Sequence, residues 1–230
     1  MRRPFIILAV TLFAALFTGI AIDYTEPHRL PPLAESYVKR VPQELGAPNV
    51  ITGILLTYRG FDTLGEVAVL FMVAAVVGLV LGERRHEVPT EPEEIIPSTE
   101  LVQNGAAVLF PLISIFAAYI IMNGHLSAGG GFQGGAIIAS GVMLLLLAKP
   151  EYRVDLDFLG NTESLAGVLY VLVGIAGLVF AGGFLDSRIL PRGQFGAFFS
   201  AGAIPIFSVL LGVKVGCELS VIIDRFRSRT

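Results

Sequence analysis

The chain has 230 residues, of which 54% are hydrophobic and 15% are charged, and its formal net charge is −3. A soluble domain carries roughly 25% charged residues, so the composition excludes an ordinary soluble protein and predicts an integral membrane protein. The net charge is small and the basic residues are scattered between apolar segments, which excludes a nucleic-acid-binding surface.

Six apolar segments are long enough to cross a bilayer as helices. A span needs about 20 mostly apolar residues, because every backbone polar group must be bonded internally in the hydrocarbon. The predicted spans are residues 5–22, 63–82, 101–123, 131–148, 164–185 and 201–223. The sequence therefore predicts an all-α, polytopic membrane protein with about six transmembrane helices.

The first span follows the basic start MRRP, and Gly19 and Ala21 faintly resemble a signal-peptide cleavage site. Its apolar run is longer than the hydrophobic region of a signal peptide, which is about 7–15 residues. We therefore expect this segment to be retained as a helix.

Residues 23–61 are too polar to span a membrane, but they include the stretch PNVITGILLTYRGF. Asn49 is a suitable N-cap there, so we expect a short amphipathic helix lying on the outer face. The stretch LPRGQFGAFF, before the sixth span, is a second candidate for an amphipathic helix.

Two acidic residues lie at the start of the second span, within RGFDTLGE. Asp62 suits the helix N-terminus, where carboxylates bond free amides and oppose the dipole. Glu66 lies one turn further in, where partial desolvation would allow it to exchange protons.

The stretch GERRHEVPTEPEEIIPST is dense in proline and charge, as is typical of a linker. It predicts a division into a two-helix module, residues 1–97, and a four-helix module, residues 98–230.

Residues 127–136 read SAGGGFQGGA, inside a stretch from Leu101 to Ala148 that contains no Asp, Glu, Lys or Arg. Gly129, Gly131 and Gly134 match the dinucleotide-binding fingerprint, but that motif requires a strand before it and a helix after it. Here a predicted membrane span lies on either side, so the nucleotide interpretation is rejected.

Small residues instead recur at four-residue spacing along the fourth span, which lets helix backbones approach closely in a membrane. We interpret this segment as a tight turn followed by a helix-packing face, and the alternative is a gap through which water or an ion reaches the backbone. The residues concerned are Gly129, Gly130, Gly131, Phe132, Gly134, Gly135 and Ala139.

His125, in the preceding loop, can titrate near neutral pH, although a histidine in a short loop is more often simply solvated. The three histidines, His28, His86 and His125, lie in separate loops. The single cysteine, Cys217, excludes a disulfide framework or thiolate cluster within the chain. No hydrolase, kinase or metal-ligand spacing is present, so we expect a non-catalytic chain without a cofactor of its own.

Lys214 lies near the centre of the sixth span, with Glu218 one turn later. A charge at mid-membrane costs on the order of 2.5–3.5 kcal/mol, so the pair is either a structural ion pair or part of a proton or cation path. Glu before Lys is the more favourable order at this spacing. The reversed order favours partners on another helix or in a neighbouring protein of a complex.

Lys and Arg favour cytoplasmic loops. They are enriched at the N-terminus, in residues 83–99, in residues 149–163 and at the C-terminus. With six spans, both termini are predicted to be cytoplasmic.

Two stretches resemble a known family. NGHLSAGGGFQGGAIIASGVMLLLLA resembles the signature of the MnhB/MrpB subunit of multisubunit Na+/H+ antiporters. NVITGILLTYRGFDTLGEVAVLF resembles the C-terminal module of the large MrpA subunit, which is the separate protein MbhE in archaeal membrane-bound hydrogenases. The matching residues are Asn49, Arg59, Gly60, Asp62, Thr63, Gly65 and Glu66 in the first module, and Gly124, His125, Gly129, Gly130, Gly131, Phe132, Gly134 and Gly135 in the second.

The resemblance implies a subunit of a Mrp-type Na+ (cation)/H+ antiporter module in the cell membrane, free-standing or within a hydrogenase- or sulfur reductase-type complex. Na+ or H+ would be the transported ions, and Fe–S or Ni–Fe centres would lie in partner subunits. One departure is that both modules are joined in a single chain.

Three functions fit these observations: a non-catalytic subunit that contributes to an ion path, a self-contained secondary transporter, and a purely architectural subunit. In the first, Glu66 would bind or relay a proton or cation next to a neighbouring subunit, and Lys214 and Glu218 would adjust the local field. The candidate ion-path residues are Glu66, Asp62, Lys214, Glu218 and His125.

Overall fold

The computed structural model describes residues 2–25, 29–83 and 98–227. The α-helices in these residues are α1 (Arg2–Asp23), α2 (Pro32–Arg40), α3 (Val50–Gly53), α4 (Gly60–Glu83), α5 (Glu100–Met122), α6 (Gly131–Ala148), α7 (Leu156–Phe180) and α8 (Ile204–Arg227). π-Helical turns occur at Val41–Leu45 and Ile54–Tyr58, and a 3-10 turn occurs at Ser187–Ile189. The extended contact in this part of the chain is a single bridge between Gly193 and Ser200.

Six of these helices, α1 and α4 to α8, are long and apolar enough to cross a membrane. The predicted all-α class and the prediction of six spans are confirmed. The predicted linker falls mainly on residues 84–97, outside the described part of the chain, as do His28 and His86. The division into modules at residue 97 therefore stays a prediction.

The chain forms two compact units, Met1–Ser36 and Tyr37–Thr230. The first unit contains α1, whose side chains from Pro4 to Asp23 are all exposed. A helix that is apolar on every face is suited to lipid or to another apolar surface.

In the second unit, α8 is the central helix and packs against α4, α5, α6 and α7. The α5–α6 loop, residues 123–130, lies at one end of the bundle, which we call the hairpin end. Residues 37–58 and 181–203 join it there, through contacts described below. A buried cluster of apolar side chains from these segments and from α4, α7 and α8 forms the core at this end.

The fifth span differs from its predicted limits of 164–185. Helix α7 begins eight residues earlier, at Leu156, because the Asp155 side chain accepts the backbone N–H of Phe158 at 2.9 Å and caps the helix. It ends at Phe180, and the chain then turns through Leu185, whose φ is +62°. The sixth span begins later than predicted, at Ile204.

The two short amphipathic predictions have opposite outcomes. Asn49 caps α3, since its side chain accepts the N–H of Thr52 at 3.3 Å, and the predicted N-cap is confirmed. The second prediction, for LPRGQFGAFF, is wrong. That segment forms turns closed by the bridge between Gly193 and Ser200, and both Gly193 and Gly196 have positive φ.

Candidate ion-path site

A buried cluster of three charged side chains lies between α7 and α8. The Lys214 Nζ donates a hydrogen bond to Glu163 Oε1 at 2.5 Å and lies 3.4 Å from Glu218 Oε2. The side chain of Glu218 is 0% exposed, and those of Lys214 and Glu163 are 9% and 14% exposed. Lys214 therefore has a partner on another helix, as its order before Glu218 in the sequence favoured.

The surroundings of Lys214 are set by α7 and α4. A Cβ placed on Gly167 of α7 would lie 3.6 Å from the Lys214 Cδ, so the aliphatic part of the lysine runs beside a helix surface without a side chain. The Phe71 ring of α4 has its centroid 5.7 Å from Nζ, a cation–π distance. The ammonium thus has an aromatic face and two carboxylates around it.

The formal charges of this cluster do not cancel. Two carboxylates and one ammonium sum to −1 when all three are ionised. Both carboxylate oxygens of Glu218 lack a hydrogen-bond partner in the described part of the chain. Because an uncompensated buried charge is strongly unfavourable, this arrangement is suited to taking up one proton or one monovalent cation.

A cavity of about 230 Å³ adjoins Lys214 between α4, α7 and α8. Its walls are mostly apolar. The lining residues are Leu64, Val67, Ala68, Phe71, Gly167, Tyr170, Val171, Leu210, Leu211 and Lys214.

The other two predicted carboxylates lie elsewhere on α4. Asp62 is exposed and accepts a hydrogen bond from the Arg59 Nε at 2.5 Å. Glu66 is exposed, without a hydrogen bond or ion pair to any described residue. At 3.6 residues per turn, both fall on the face of α4 opposite the cavity-lining residues. The structure therefore does not bring them to the Lys214 cluster.

His125 is not a solvated loop residue, contrary to the more common case for short loops. It is 1% exposed, and its Nε2 lies 3.1 Å from the carbonyl oxygen of Phe198. Burial lowers the pKa of His125 below its usual value of 6.5. The imidazole is therefore neutral near pH 7 and joins the α5–α6 loop to the segment before α8.

The glycine-rich loop is held by Asn49. The Asn49 side-chain amide donates to the carbonyls of Gly124 at 2.8 Å and Ser127 at 2.7 Å, and its backbone N–H donates to the His125 carbonyl at 3.0 Å. Gly129 and Gly130 have φ of +153° and +147°, which side-chain-bearing residues rarely adopt. The loop can therefore make a tight turn next to the N-terminus of α3.

Helix α6 lies close against two neighbours through its glycines. A Cβ on Gly131 would lie 2.4 Å from the Ser208 carbonyl oxygen of α8, and one on Gly134 would lie 2.2 Å from the Ile121 Cγ1 of α5. Gly135 similarly abuts the α8 backbone. At these positions the helices are too close for a water molecule or an ion between them, and Phe132 packs against the apolar core.

Sequence reasoning missed Glu163, because the predicted fifth span began at residue 164 and left it in a loop. A signal was present. Gly167 and Tyr170 follow Glu163 by four and seven residues, so the three share one face of α7. A lysine at mid-membrane on another helix requires a carboxylate on such a face.

Comparisons with known proteins agree with this architecture. Residues 101–221, more than half of the chain, match the family described as a domain related to the MnhB subunit of Na+/H+ antiporters. The chain belongs to this MnhB-related family. Residues 5–96 match a second family, the MbhE component of MBH. The family membership and the six apolar helices make this MnhB-related chain a multi-pass membrane protein.

Three relatives are similar to most or all of this chain. A chain of the membrane-bound sulfane sulfur reductase (MBS), an archaeal respiratory membrane complex, is 35% identical with a TM-score of 0.79, and the match covers 98% of this chain and 97% of that one. A chain of the Mrp complex from Dietzia is 26% identical with a TM-score of 0.77, covering 100% of this chain and 26% of that one. The A/B subunit of a probable K+/H+ antiporter of Rhizobium meliloti is 29% identical, over 78% of this chain and 20% of that protein. The MnhB-related chain thus spans only a fraction of the last two.

Proposed function

We propose that this chain is a non-catalytic membrane subunit of a multisubunit cation/H+ antiporter module, in which the Lys214 cluster forms part of the ion path. Family membership and the relatives in an antiporter and in the Mrp and MBS complexes support the module. The observation that carries the ion-path role is the fully buried Glu218, whose carboxylate oxygens have no hydrogen-bond partner among the described residues.

The geometry permits Lys214 to change its partner between Glu163 and Glu218 while the other carboxylate holds a proton or a cation. In the structure, Lys214 donates its hydrogen bond to Glu163, so Glu218 is the carboxylate that takes up a proton. When Glu218 releases the proton, its negative charge attracts the Lys214 ammonium across the 3.4 Å that separates them. Glu163 then loses its partner and takes up a proton or a monovalent cation. One proton or cation is bound in each state, and the net charge of the cluster stays near zero.

Glu66 has a different place in this proposal. It is exposed on the face of α4 away from the cluster, so Lys214 and Glu218 do not adjust its field by direct contact. We propose that Glu66 and the Arg59–Asp62 pair meet a neighbouring subunit, which supplies the partner that Glu66 lacks among the described residues. His125, neutral and buried, serves to hold the hairpin end and not to carry the ion.

The partners are other subunits of a hetero-oligomeric membrane complex, because the relatives belong to multisubunit assemblies. We place the chain in the cell membrane with both termini cytoplasmic, on the distribution of Lys and Arg. Any Fe–S or Ni–Fe centre would lie in a partner subunit. The cation is Na+ in the name of the matched family and K+ in the name of one relative, so it is assigned only by class.

The test is cation-dependent proton flux in vesicles that contain the whole complex, purified through a tag on this chain. Glu163→Gln and Lys214→Ala should each abolish flux with all subunits still present, and Glu66→Gln should reduce flux independently. The matched control is Glu100→Gln, an exposed carboxylate at the first turn of α5.

Normal flux in the Glu163 and Lys214 variants would contradict the ion-path role and favour the architectural alternative, which the close glycine contacts of α6 also support. Flux from this chain reconstituted alone would instead identify a self-contained transporter.

A further inference from the structure

The three side chains of the Lys214 cluster differ in how far they are exposed. The side chain of Glu218 is 0% exposed, that of Lys214 is 9% exposed and that of Glu163 is 14% exposed. Glu163 is therefore the member of the cluster that an ion from outside meets first. The change of partner between the two carboxylates does not itself fix the end of the bundle from which Glu163 is approached.

Toward the hairpin end, the cluster is bounded by apolar groups. The cavity beside Lys214 has mostly apolar walls, and the Tyr170 ring in its lining packs edge-on against Phe207, with the centroids 5.5 Å apart. Both rings belong to the buried apolar core of that end. A proton or cation that crossed this region would lose its water without gaining ligands, so approach from the hairpin end is unfavourable.

Two further directions are closed by close packing. On the α6 side, a Cβ placed on Gly135 would lie 2.9 Å from the backbone of α8. On the α4 side, the Arg225 Nη1 donates to the carbonyl of Ala74 at 2.9 Å and fills the space beside Gly78, where a Cβ would not fit. Arg225 follows Glu218 by seven residues on the same face of α8, so it closes the contact between α4 and α8 on the side away from the hairpin end.

The direction that stays open runs along α7, away from the hairpin end. Gly160 precedes Gly167 by seven residues, so the two glycines lie on the same line of the helix. Gly167 abuts the Lys214 side chain, whereas a Cβ placed on Gly160 would meet nothing within 4 Å among the described residues. Glu163 lies between these glycines along α7. An open space therefore begins about one turn from Glu163, on the side of α7 that faces the cluster.

The sequence of α7 is polar in the same direction. Residues 157–164 read DFLGNTES, and three of their polar side chains are exposed, whereas residues 165–180 contain no charged residue. A membrane span takes about 20 residues, so counting back from Phe180, the last residue of α7, places the membrane boundary near residue 161. Glu163 is within one turn of that boundary. Water and ions at the membrane surface therefore come close to Glu163 from this end, whereas Lys214 lies deeper.

We propose that the ion reaches Glu163 along the face of α7 that carries Gly160, from the end of the bundle opposite the hairpin end. Glu163 is then the outer site of the cluster on this route, and Glu218 is the inner one. Gly160 contributes by its lack of a side chain, which leaves the route open. The inference rests on the proposed function, since it assigns an access route to the same cluster.

The first test is thiol labelling of the intact complex in sealed vesicles of one orientation, with Cys217→Ala removing the single cysteine of this chain. Gly160→Cys should react with a charged, membrane-impermeant methanethiosulfonate from the same side as Asp157→Cys, which alters an exposed residue at the start of α7. Phe195→Cys, in the exposed turn before α8, should react only from the other side. Mass spectrometry of this chain detects the modification. No reaction of Gly160→Cys, or reaction from the side that labels Phe195→Cys, would overturn the proposal.

The second test is cation-dependent proton flux in the same vesicles. A leucine at residue 160 would enter open space, so Gly160→Leu should assemble with all subunits and lower flux several-fold by narrowing the route. Thiol modification of Gly160→Cys should lower flux in the same way, whereas modification of Asp157→Cys should not. The control is Gly105→Leu in α5, where an added Cβ also meets nothing within 4 Å. Equal flux in the two leucine variants would contradict the route.

The outcomes separate the two proposals. If Glu163→Gln and Lys214→Ala abolish flux but Gly160→Leu and the modified Gly160→Cys retain it fully, the access route is wrong and the ion-path role stands. If Gly160→Leu fails to assemble, the flux after modification of Gly160→Cys decides. If neither cluster variant changes flux, the proposed function itself fails, wherever the thiol reagent reacts.

Discussion

The two sides of α8 differ in almost every physical respect. Toward α6, the contact is made by glycines and backbone, with Gly131 so close to the carbonyl of Ser208 that no side chain fits. Toward α7 and α4, the contact contains a lysine, two carboxylates and a cavity of about 230 Å³. One helix is thus held rigidly on one side and carries titratable groups on the other. The close packing fixes the backbone from which Lys214 extends.

The largest effect should come from removing the Lys214 ammonium from the side of α8 that faces α7 and α4. Lys214→Met would leave Glu163 and Glu218 buried without their counter-charge, a loss we expect to destabilise the protein by about 3–5 kcal/mol. Denaturant or thermal unfolding of the purified complex measures it. Lys214→Met combined with Glu163→Gln should recover part of the loss. Equal stability of the single and double variants would show that the two charges are not coupled.

The packed side should be sensitive to a single methyl group. Gly131→Ala would place a Cβ 2.4 Å from the Ser208 carbonyl oxygen. We expect overpacking to cost about 1–3 kcal/mol, measured as a fall in thermal stability. The control is Gly105→Ala in α5, where nothing lies within 4 Å of the added atom. Equal melting temperatures for the two variants would disprove the close contact.

A smaller effect is expected at the hairpin end, where Asn49 holds the loop that precedes α6. Asn49→Ala removes the α3 cap and two side-chain bonds to the carbonyls of Gly124 and Ser127. Loss of an N-cap alone costs about 1 kcal/mol. Faster amide hydrogen exchange across residues 123–130 is expected. Asn123→Ala is the control, because Asn123 is only half-buried and its side chain donates to the Tyr119 carbonyl of its own helix and, among the described residues, to no other segment. Unchanged amide hydrogen exchange in Asn49→Ala would show that Asn49 does not hold this loop in place.

The smallest effect should be a pH dependence from His125. Burial lowers the pKa of His125 in the folded state below 6.5. The folded state thus holds the imidazole neutral, and its stability is fully present above pH 6.5 and declines as the pH falls below that value. A His125→Gln variant should show a flatter melting-temperature profile between pH 7 and pH 5 than the unsubstituted protein. Parallel profiles would assign the acid sensitivity to other groups.

Much of the fold could be predicted from local pattern. Six spans, the cap at Asn49 and a lysine that requires a partner on another helix all follow from hydropathy, spacing and the cost of buried charge. The errors occur where local polarity misleads. The polar start of α7 made Glu163 look like a loop residue, and the apolar residues of LPRGQFGAFF suggested a helix where positive-φ glycines impose turns. The buried position of His125 involves a hydrogen-bond contact with the carbonyl of Phe198, 73 positions away, which local sequence patterns do not reveal.

The sequence by itself determined that this chain is a membrane protein, because its few charges and long apolar segments suit the hydrocarbon of a bilayer and not water. It also determined that Lys214 needs a counter-charge and that α6 can approach other helices closely. Only the tertiary structure decided which carboxylates meet the lysine, which side of α8 is rigid, and that Asp62 and Glu66 lie on the other face of α4. Those outcomes depend on which helices become neighbours, and that is set by the packing of the whole bundle and not by any one segment.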